Sequence, residues 1–176
     1  SLAQENLIIG GAWLTKTDAQ GDALWSKFVW GGYSWNPPSS GGHGMSVQET
    51  IDGGYILAGM ASDVVYSNNK PVSANQRTSM VTTSRCIWLK VDSMGNYILG
   101  SGNVAPSGGN ASWFGNIAFS VKQTSDSGYI VCGQYPVSLH QNKLNAFIVK
   151  TDTLGDTTWV KPYGGSSDDV AKSVIQ

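Results

Sequence analysis

The stretch AWLTKTDAQGDALW, from Ala12 to Trp25, returns twice along the chain. It recurs as CIWLKVDSMGNYIL from Cys86 and as AFIVKTDTLGDTTW from Ala146. Successive side chains alternate in character before an aspartate and a glycine, which is typical of a β-strand that ends in a turn. The stretch therefore predicts one β-hairpin that occurs three times. In its first copy one face carries Trp13, Thr15 and Thr17, and the other carries Leu14, Lys16 and Asp18.

Each copy of the hairpin has an aspartate three residues before a glycine. The carboxylate can accept backbone hydrogen bonds inside the turn, and the glycine can adopt the positive φ that closes it. The pattern predicts positive φ at the three glycines. The pairs are Asp18 with Gly21, Asp92 with Gly95, and Asp152 with Gly155.

A second block, SVQETIDGGYILAG from Ser46 to Gly59, recurs as SVKQTSDSGYIVCG from Ser120 to Gly133. Asp-Gly-Gly or Asp-Ser-Gly supplies a tight turn, and the tyrosine and β-branched residues after it predict a buried strand. The two blocks together predict four strands in each repeat. We label them A (Gly44 to Thr50), B (Gly54 to Gly59), C (Cys86 to Val91) and D (Asn96 to Gly100).

Both ends of the sequence fit the same pattern. Leu7 to Gly11 reads as a strand followed by a Gly-Gly turn that leads into the strand at Ala12. The last residues, Ser173 to Gln176, match the start of strand A. We therefore expect Leu7 to Gly10 to pair with Lys172 to Gln176, either within one chain or between neighbouring chains.

The repeats predict a single all-β repeat domain over residues 1–176, namely a β-propeller-type fold with three four-stranded antiparallel blades. The approximate repeats are 44–101, 117–162, and 170–176 completed by 5–29. A β-trefoil or a three-sheet prism is the alternative for three similar repeats. Four well-marked strands in each repeat and the long segment between strands B and C favour blades.

Composition narrows the class of partner. The net charge is -1 and 13% of residues are charged, so no electrostatic feature indicates nucleic acid. No apolar run approaches the roughly 20 residues of a membrane helix, so membrane insertion is not expected. Cys86 and Cys132 fit neither a metal motif nor a disulfide scaffold and are predicted to be buried thiols, with a bridge between them as the alternative in an oxidising compartment.

The repeat motifs WLTKTDAQGDALW, YGGSSDD (from Tyr163) and SVxQTxDxGYI resemble those of secreted bacterial and archaeal propeller proteins, common among Bacteroidetes-type surface proteins with C-terminal sorting domains. The resemblance covers nearly the whole chain and implies an extracellular or cell-surface location. It supplies no catalytic residue. Such propellers have roughly six to eight blades, so three repeats imply a fragment or an assembly of copies.

Strand direction predicts that the A–B and C–D turns share one end of the molecule and that the longer connections share the other. These loops are Gly31 to His43, Ala61 to Arg85, Gly102 to Asn116, Gln134 to Asn145 and Gly164 to Asp169. Aromatic rings beside amides and hydroxyls suit a sugar face or a protein partner. The candidate ligand-binding residues are Trp30, Tyr33, Trp35, His43, Tyr66, Trp113, Phe114 and Tyr135.

Some of these rings have an alternative role in packing. Trp30 and Trp113 can instead lie between blades. Three further aromatic residues are predicted to lie in the core: Trp13, Trp88 and Phe147. Trp25 and Trp159 are predicted to cover the edges of blades.

Signals for catalysis or a cofactor are weak. His43 and His140 have no histidine or cysteine at ligand spacing, and Asp168 and Asp169 are weak candidates for calcium. No cofactor is therefore expected. The leading hypothesis is a non-enzymatic extracellular module for carbohydrate or protein binding, adhesion or surface assembly, with copies of itself or further blades as partners. The alternative is part of a propeller enzyme that uses a quinone or a metal ion.

Overall fold

A computed structural model describes residues 8–33, 41–65, 81–102, 115–138 and 141–176, and within these ranges the protein is all-β, as predicted, without a helix. The strands form three antiparallel sheets of two, four and four strands. They are β1 (Ile8–Thr17), β2 (Ala23–Tyr33), β3 (Gly42–Glu49), β4 (Tyr55–Val65), β5 (Val81–Val91), β6 (Tyr97–Gly102), β7 (Ile117–Gln123), β8 (Tyr129–Ser138), β9 (Gln141–Thr151) and β10 (Thr157–Tyr163).

Each sheet is a meander in which strands that follow one another in sequence are paired. The hairpin sheet is β1–β2, the first four-stranded sheet is β3–β6, and the second four-stranded sheet is β7–β10. The repeated hairpin of the sequence forms β1–β2, β5–β6 and β9–β10. The predicted strands A to D of the first full repeat are β3 to β6.

Tight turns connect the strands at one end of the sheets, which we call the turn end. They join β1 to β2, β3 to β4, β5 to β6, β7 to β8 and β9 to β10. Asp18 Oδ1 accepts hydrogen bonds from the backbone N–H groups of Gln20 and Asp22, at 3.0 and 2.9 Å. The equivalent aspartates accept the equivalent bonds. The predicted positive φ is confirmed at Gly21 (93°), Gly95 (78°) and Gly155 (82°).

The sheets stack face to face because both faces of their central strands are apolar. In β4, Ile56 and Ala58 pack towards the second four-stranded sheet, whereas Leu57 packs towards the hairpin sheet. The larger core includes the predicted core residues Trp88 and Phe147, which are 1% and 0% exposed. A smaller cluster places Leu14, Trp25 and Val29 of the hairpin sheet against Leu57, Leu89 and Val91.

The prediction of a Gly-Gly turn at Gly10 and Gly11 was wrong. β1 runs without a turn from Ile8 to Thr17 and pairs along its length with β2, from Ile8 opposite Tyr33 to Thr17 opposite Ala23. The register shifts between Ile8 and Gly11, so the glycines accompany an irregularity in the strand. Leu7 lies outside the described residues.

The strands also reach further into the predicted loops than expected. β4 and β5 stay paired as far as Val65 opposite Val81, and β8 and β9 as far as Ser138 opposite Gln141. The added residues include valines and threonines, which favour an extended ladder. Strand therefore covers both ends of the predicted loop Ala61 to Arg85, whose residues 66–80 lie outside the described residues, and most of the predicted loop Gln134 to Asn145.

Residues 171–176 lie outside any strand and against β7 and β8. Ala171 N–H donates to Gly133 O at 3.4 Å, and Val174 N–H donates to Ser120 Oγ at 3.4 Å. Ile8 to Gly10 belong to β1, which pairs with β2 alone, and residues 171–176 form no strand, so the expected pairing of the two ends is absent among the described residues of this chain. Pairing between chains stays a prediction.

Candidate functional surfaces

The candidate ligand-binding residues divide by position. Trp30 and Tyr33 lie on β2, at the end of the strand away from the tight turns, and the structure describes their backbone only. His43 lies near the start of β3, opposite Met60, and is exposed. Four candidates lie outside the described residues and keep their predicted role as a prediction: Trp35, Tyr66, Trp113 and Phe114.

Tyr135 is a core residue. It is 6% exposed and its ring meets that of Phe147 edge-on, with centroids 6.4 Å apart. The prediction of an exposed ring at this position was wrong because β8 continues past Gly133 and carries Tyr135 with it into the space between the two four-stranded sheets. Tyr135 acts as a packing residue.

The two candidate calcium ligands hold backbone groups. Asp168 Oδ1 accepts the N–H of Leu144 at 2.8 Å, and Asp169 Oδ2 accepts the N–H of Gly165 at 2.7 Å. Asp169 also donates its own N–H to Leu144 O at 2.9 Å, and Lys143 Nζ donates to Gly165 O. These contacts attach the loop after β10 to the start of β9.

A pair of carboxylate–lysine contacts at the turn end was missed in the sequence. Asp52 Oδ1 accepts the hydroxyl of Thr50 at 2.6 Å, the N–H of Gly54 at 3.1 Å and Nζ of Lys90 at 3.0 Å. In the next repeat Lys150 Nζ contacts Asp126 Oδ2 at 2.8 Å. The signal was present, since Thr-x-Asp-x-Gly in the A–B turn and Lys-x-Asp in strand C recur together.

These contacts lower the pKa values of both aspartates. The hydroxyl of Thr50 and the ammonium of Lys90 stabilise the ionised form of Asp52, and its pKa falls to about 2. Lys150, Thr124 and the N–H of Gly128 lower the pKa of Asp126. Lys90 is buried and Asp52 is largely exposed, so the pair fastens strand C to the A–B turn rather than forming a pocket.

The hairpin sheet exposes an apolar face on the side opposite the first four-stranded sheet, and we call it the hairpin face. Trp13 was predicted to be a core residue, but it is 65% exposed. It packs edge-on against Phe28 with centroids 5.8 Å apart. Leu24, further along β2 towards the turn end, is also exposed. The prediction failed because no sheet covers this side of β1 among the described residues.

The second four-stranded sheet has a corresponding uncovered side, which we call the outer face. Ile130 and Ile148 are half-buried there, and Trp159 is 38% exposed with Lys161 Nζ 5.3 Å from its ring centroid. The pairing of Ile130 and Trp159 with the same residue, Lys150, places them on one side of the sheet. Residues 171–176 cover only the β7–β8 part of this face.

Cys86 and Cys132 are both buried, and no disulfide joins them, so the alternative of a bridge between them is excluded. Cys132 is 0% exposed, as predicted, with its Sγ 3.5 Å from the carbonyl oxygen of Ala171. Burial raises the pKa of the Cys132 thiol to about 11. Its low reactivity stays a prediction.

The chain matches no protein-family model, and no curated protein matches it either. Among the described residues, no helix is long and apolar enough to cross a membrane. The same residues contain no group of three or more histidine, cysteine, aspartate or glutamate side chains placed to hold a metal ion. The repeats and the surfaces that they leave exposed are therefore the features of this protein that bear on its function.

Proposed function

We propose that this protein is a non-enzymatic extracellular binding module of the β-propeller type, whose four-stranded sheets are successive blades. The motif resemblance to secreted propeller repeats supports this location and architecture. Two complete meanders stacked face to face, with a partial repeat on either side, support the blade assignment.

The observation that carries the proposal is the difference between the two ends of the sheets. Short aspartate-capped turns close every hairpin at the turn end, so sequence change there is limited by turn geometry. The connections that differ in length between repeats start and finish at the opposite end of the sheets, which we call the loop end. Variable connections on a rigid scaffold are where binding residues concentrate.

The chemistry of the loop end favours a carbohydrate ligand. Its connections carry Trp35, Trp113 and Phe114 among asparagine, serine and glycine residues. Aromatic rings stack on the apolar faces of sugars, while amides and hydroxyls bind sugar hydroxyls. We therefore propose glycan binding through these connections, and a protein ligand is an outcome that the test distinguishes.

A glycan array probed with the purified protein tests this function. We expect binding to a limited set of glycans, weakened at least about tenfold by Trp35→Ala or Trp113→Ala, as for a stacking ring at the centre of a site. Leu154→Ala, at an exposed tip of the turn end, is the matched control and leaves binding unchanged. Binding to no glycan, or capture of a protein ligand only, would overturn the carbohydrate proposal.

Elemental analysis and an absorption spectrum of the protein purified from its native source address the alternative of a propeller enzyme. A stoichiometric bound quinone, or a metal ion that is lost when loop-end carboxylates are replaced, would overturn the non-enzymatic assignment. A protein with neither is the expected result.

A further inference from the structure

One set of contacts recurs between successive repeats. Val121 N–H donates to Ser46 Oγ at 3.4 Å, and Ile51 N–H donates to Gln123 Oε1 at 2.8 Å. These bonds join the first four-stranded sheet to the second. They show how strand A of one repeat meets strand A of the repeat before it.

The last residues repeat these bonds at equivalent positions. Val174 N–H donates to Ser120 Oγ at 3.4 Å, and Ser125 N–H donates to Gln176 Oε1 at 3.1 Å. Residues 171–176 therefore meet the second four-stranded sheet as β7 meets the first. They occupy the place of strand A of a further repeat.

The hairpin sheet shows the same relation on the other side. A Cβ added to Gly95 would lie 2.9 Å from Cζ3 of Trp25 in the preceding sheet. A Cβ added to the equivalent Gly155 would lie 2.9 Å from Cδ1 of Leu99, which is the counterpart of Trp25. Gly95 and Gly155 thus each face an apolar strand D residue of the repeat before them.

Two members of this series lack a partner surface among the described residues. Trp159 is the strand D counterpart of Trp25 and Leu99, and it is exposed. Gly21 is the turn counterpart of Gly95 and Gly155, and an added Cβ there would meet nothing within 4 Å.

The same comparison applies to the strand C residues. Phe147 is fully buried between the two four-stranded sheets, whereas Trp13, its counterpart in the repeated hairpin, is 65% exposed. Ile148, the counterpart of the buried Trp88 and Leu14, lies on the outer face. The hairpin face and the outer face are thus the two halves of a contact that the chain already makes twice internally.

We propose that the hairpin face of one copy of this protein docks on the outer face of a second copy. Trp159 of one copy then packs against Gly21 of the other, and Trp13 packs towards Ile148, as Leu99 meets Gly155 and Phe147 meets the first sheet. A second copy is the occupant because its hairpin carries the glycine and the large apolar residue that this series of contacts requires. The inference rests on the propeller-type architecture proposed above, and it makes the assembly heterologous, with different faces in contact.

Sedimentation velocity over a concentration series tests the contact. The wild-type protein is expected to associate, and Trp13→Asp and Trp159→Asp are each expected to weaken association at least about tenfold. Both residues are exposed, so circular dichroism of the two variants should match that of the wild type. Leu154→Asp, which alters an exposed apolar residue of the turn end, is the control and keeps wild-type association.

Mixing the two variants distinguishes the direction of docking. Trp13→Asp retains an intact outer face and Trp159→Asp retains an intact hairpin face, so an equimolar mixture should form a one-to-one complex that neither variant forms alone. A wild type that stays monomeric up to about 1 mM would overturn the proposal. So would a mixture that fails to associate. Glycan binding by a monomeric variant is measured separately, and its loss or retention leaves this result unaffected.

Discussion

Equivalent turn positions in the two repeats have the same backbone conformation even where their residue types differ. Gly53 and Ser127 occupy the same place in the two A–B turns and have φ values of 76° and 63°. Glycine adopts this conformation freely, whereas a side chain strains it. The sequence block predicted the turn, but it did not show that serine would hold the positive φ.

Ser127→Gly should stabilise the protein by up to about 1 kcal/mol, since relief of left-handed strain exceeds the added entropy of the unfolded chain. Gly53→Ser is the reciprocal variant and should destabilise the protein by a similar amount, since it introduces the same left-handed strain. An added Cβ at Gly53 meets nothing within 4 Å, so no steric clash adds to this cost. Urea unfolding measures both changes. Destabilisation by Ser127→Gly would contradict the strain argument.

The hydrogen bonds that Asp52 accepts from Thr50 and Lys90 should make the free energy of unfolding depend on pH in the acidic range. The pKa of Asp52 is about 2 in the folded protein and about 3.9 when unfolded, so its stabilisation is present above pH 4 and is lost as the pH falls towards 2. Because Asp52 is largely exposed, we expect a loss of only roughly 1 kcal/mol.

Urea unfolding at several pH values between 2 and 7 checks this. Asp52→Asn should lower the free energy of unfolding at pH 7. It should also reduce the decrease in that free energy as the pH falls below 4. Asp156→Asn, which removes another turn-end carboxylate, should leave that decrease in place. Equal pH profiles for wild type and Asp52→Asn would show that the ionised Asp52 carboxylate contributes nothing to stability.

The strands and turns could be predicted from the alternation of side chains and from the spacing of aspartate and glycine. The sequence did not predict which sheet faces pack against another sheet. Trp13 and Phe147 occupy the same position in one repeated motif, yet one is exposed and the other is buried. Burial depends on whether another sheet covers that side, and a repeat motif contains no such information. Tyr135 was misplaced for a related reason, since strand length beyond a motif depends on pairing.

Packing between sheets should make Gly95 less tolerant of a side chain than Gly53. Both have nearly the same positive φ, but a Cβ at Gly95 would meet Trp25 and Lys27 of the hairpin sheet at 2.9 and 2.8 Å. Gly95→Ala should therefore cost about 1–2 kcal/mol more than Gly53→Ala, which is the usual range for overpacking. Equal costs in urea unfolding would mean that the hairpin sheet does not pack on this turn.

The C-terminal segment should control access to Cys132. Its thiol lies against Ala171 with a pKa raised to about 11, so labelling of the folded protein should be slow. Removal of residues 171–176 should accelerate labelling at Cys132 and leave Cys86, buried between the sheets, unchanged. Thiol labelling of Cys86→Ala and Cys132→Ala variants measures the two rates. Fast labelling of Cys132 in the intact chain would contradict docking of the segment.

The whole molecule is an array in which one contact repeats from sheet to sheet. Heterologous docking of copies would extend that array, either to a closed ring or to an open filament, depending on the rotation between sheets. The stacked sheets have two unlike end faces, the hairpin face and the outer face. In a propeller-type assembly each of these faces is covered by a neighbouring sheet. The proposed docking uses the two end faces, whereas the proposed glycan binding uses connections at the loop end, so the two proposals involve separate surfaces.

An experimental structure of the associated protein tests this repeated contact most directly. We predict that the rotation relating β5–β6 to β9–β10 also relates β9–β10 of one copy to β1–β2 of the next, with Trp159 against Gly21. A structure in which Trp13 and Trp159 both face solvent, or in which two hairpin faces meet each other, would contradict it.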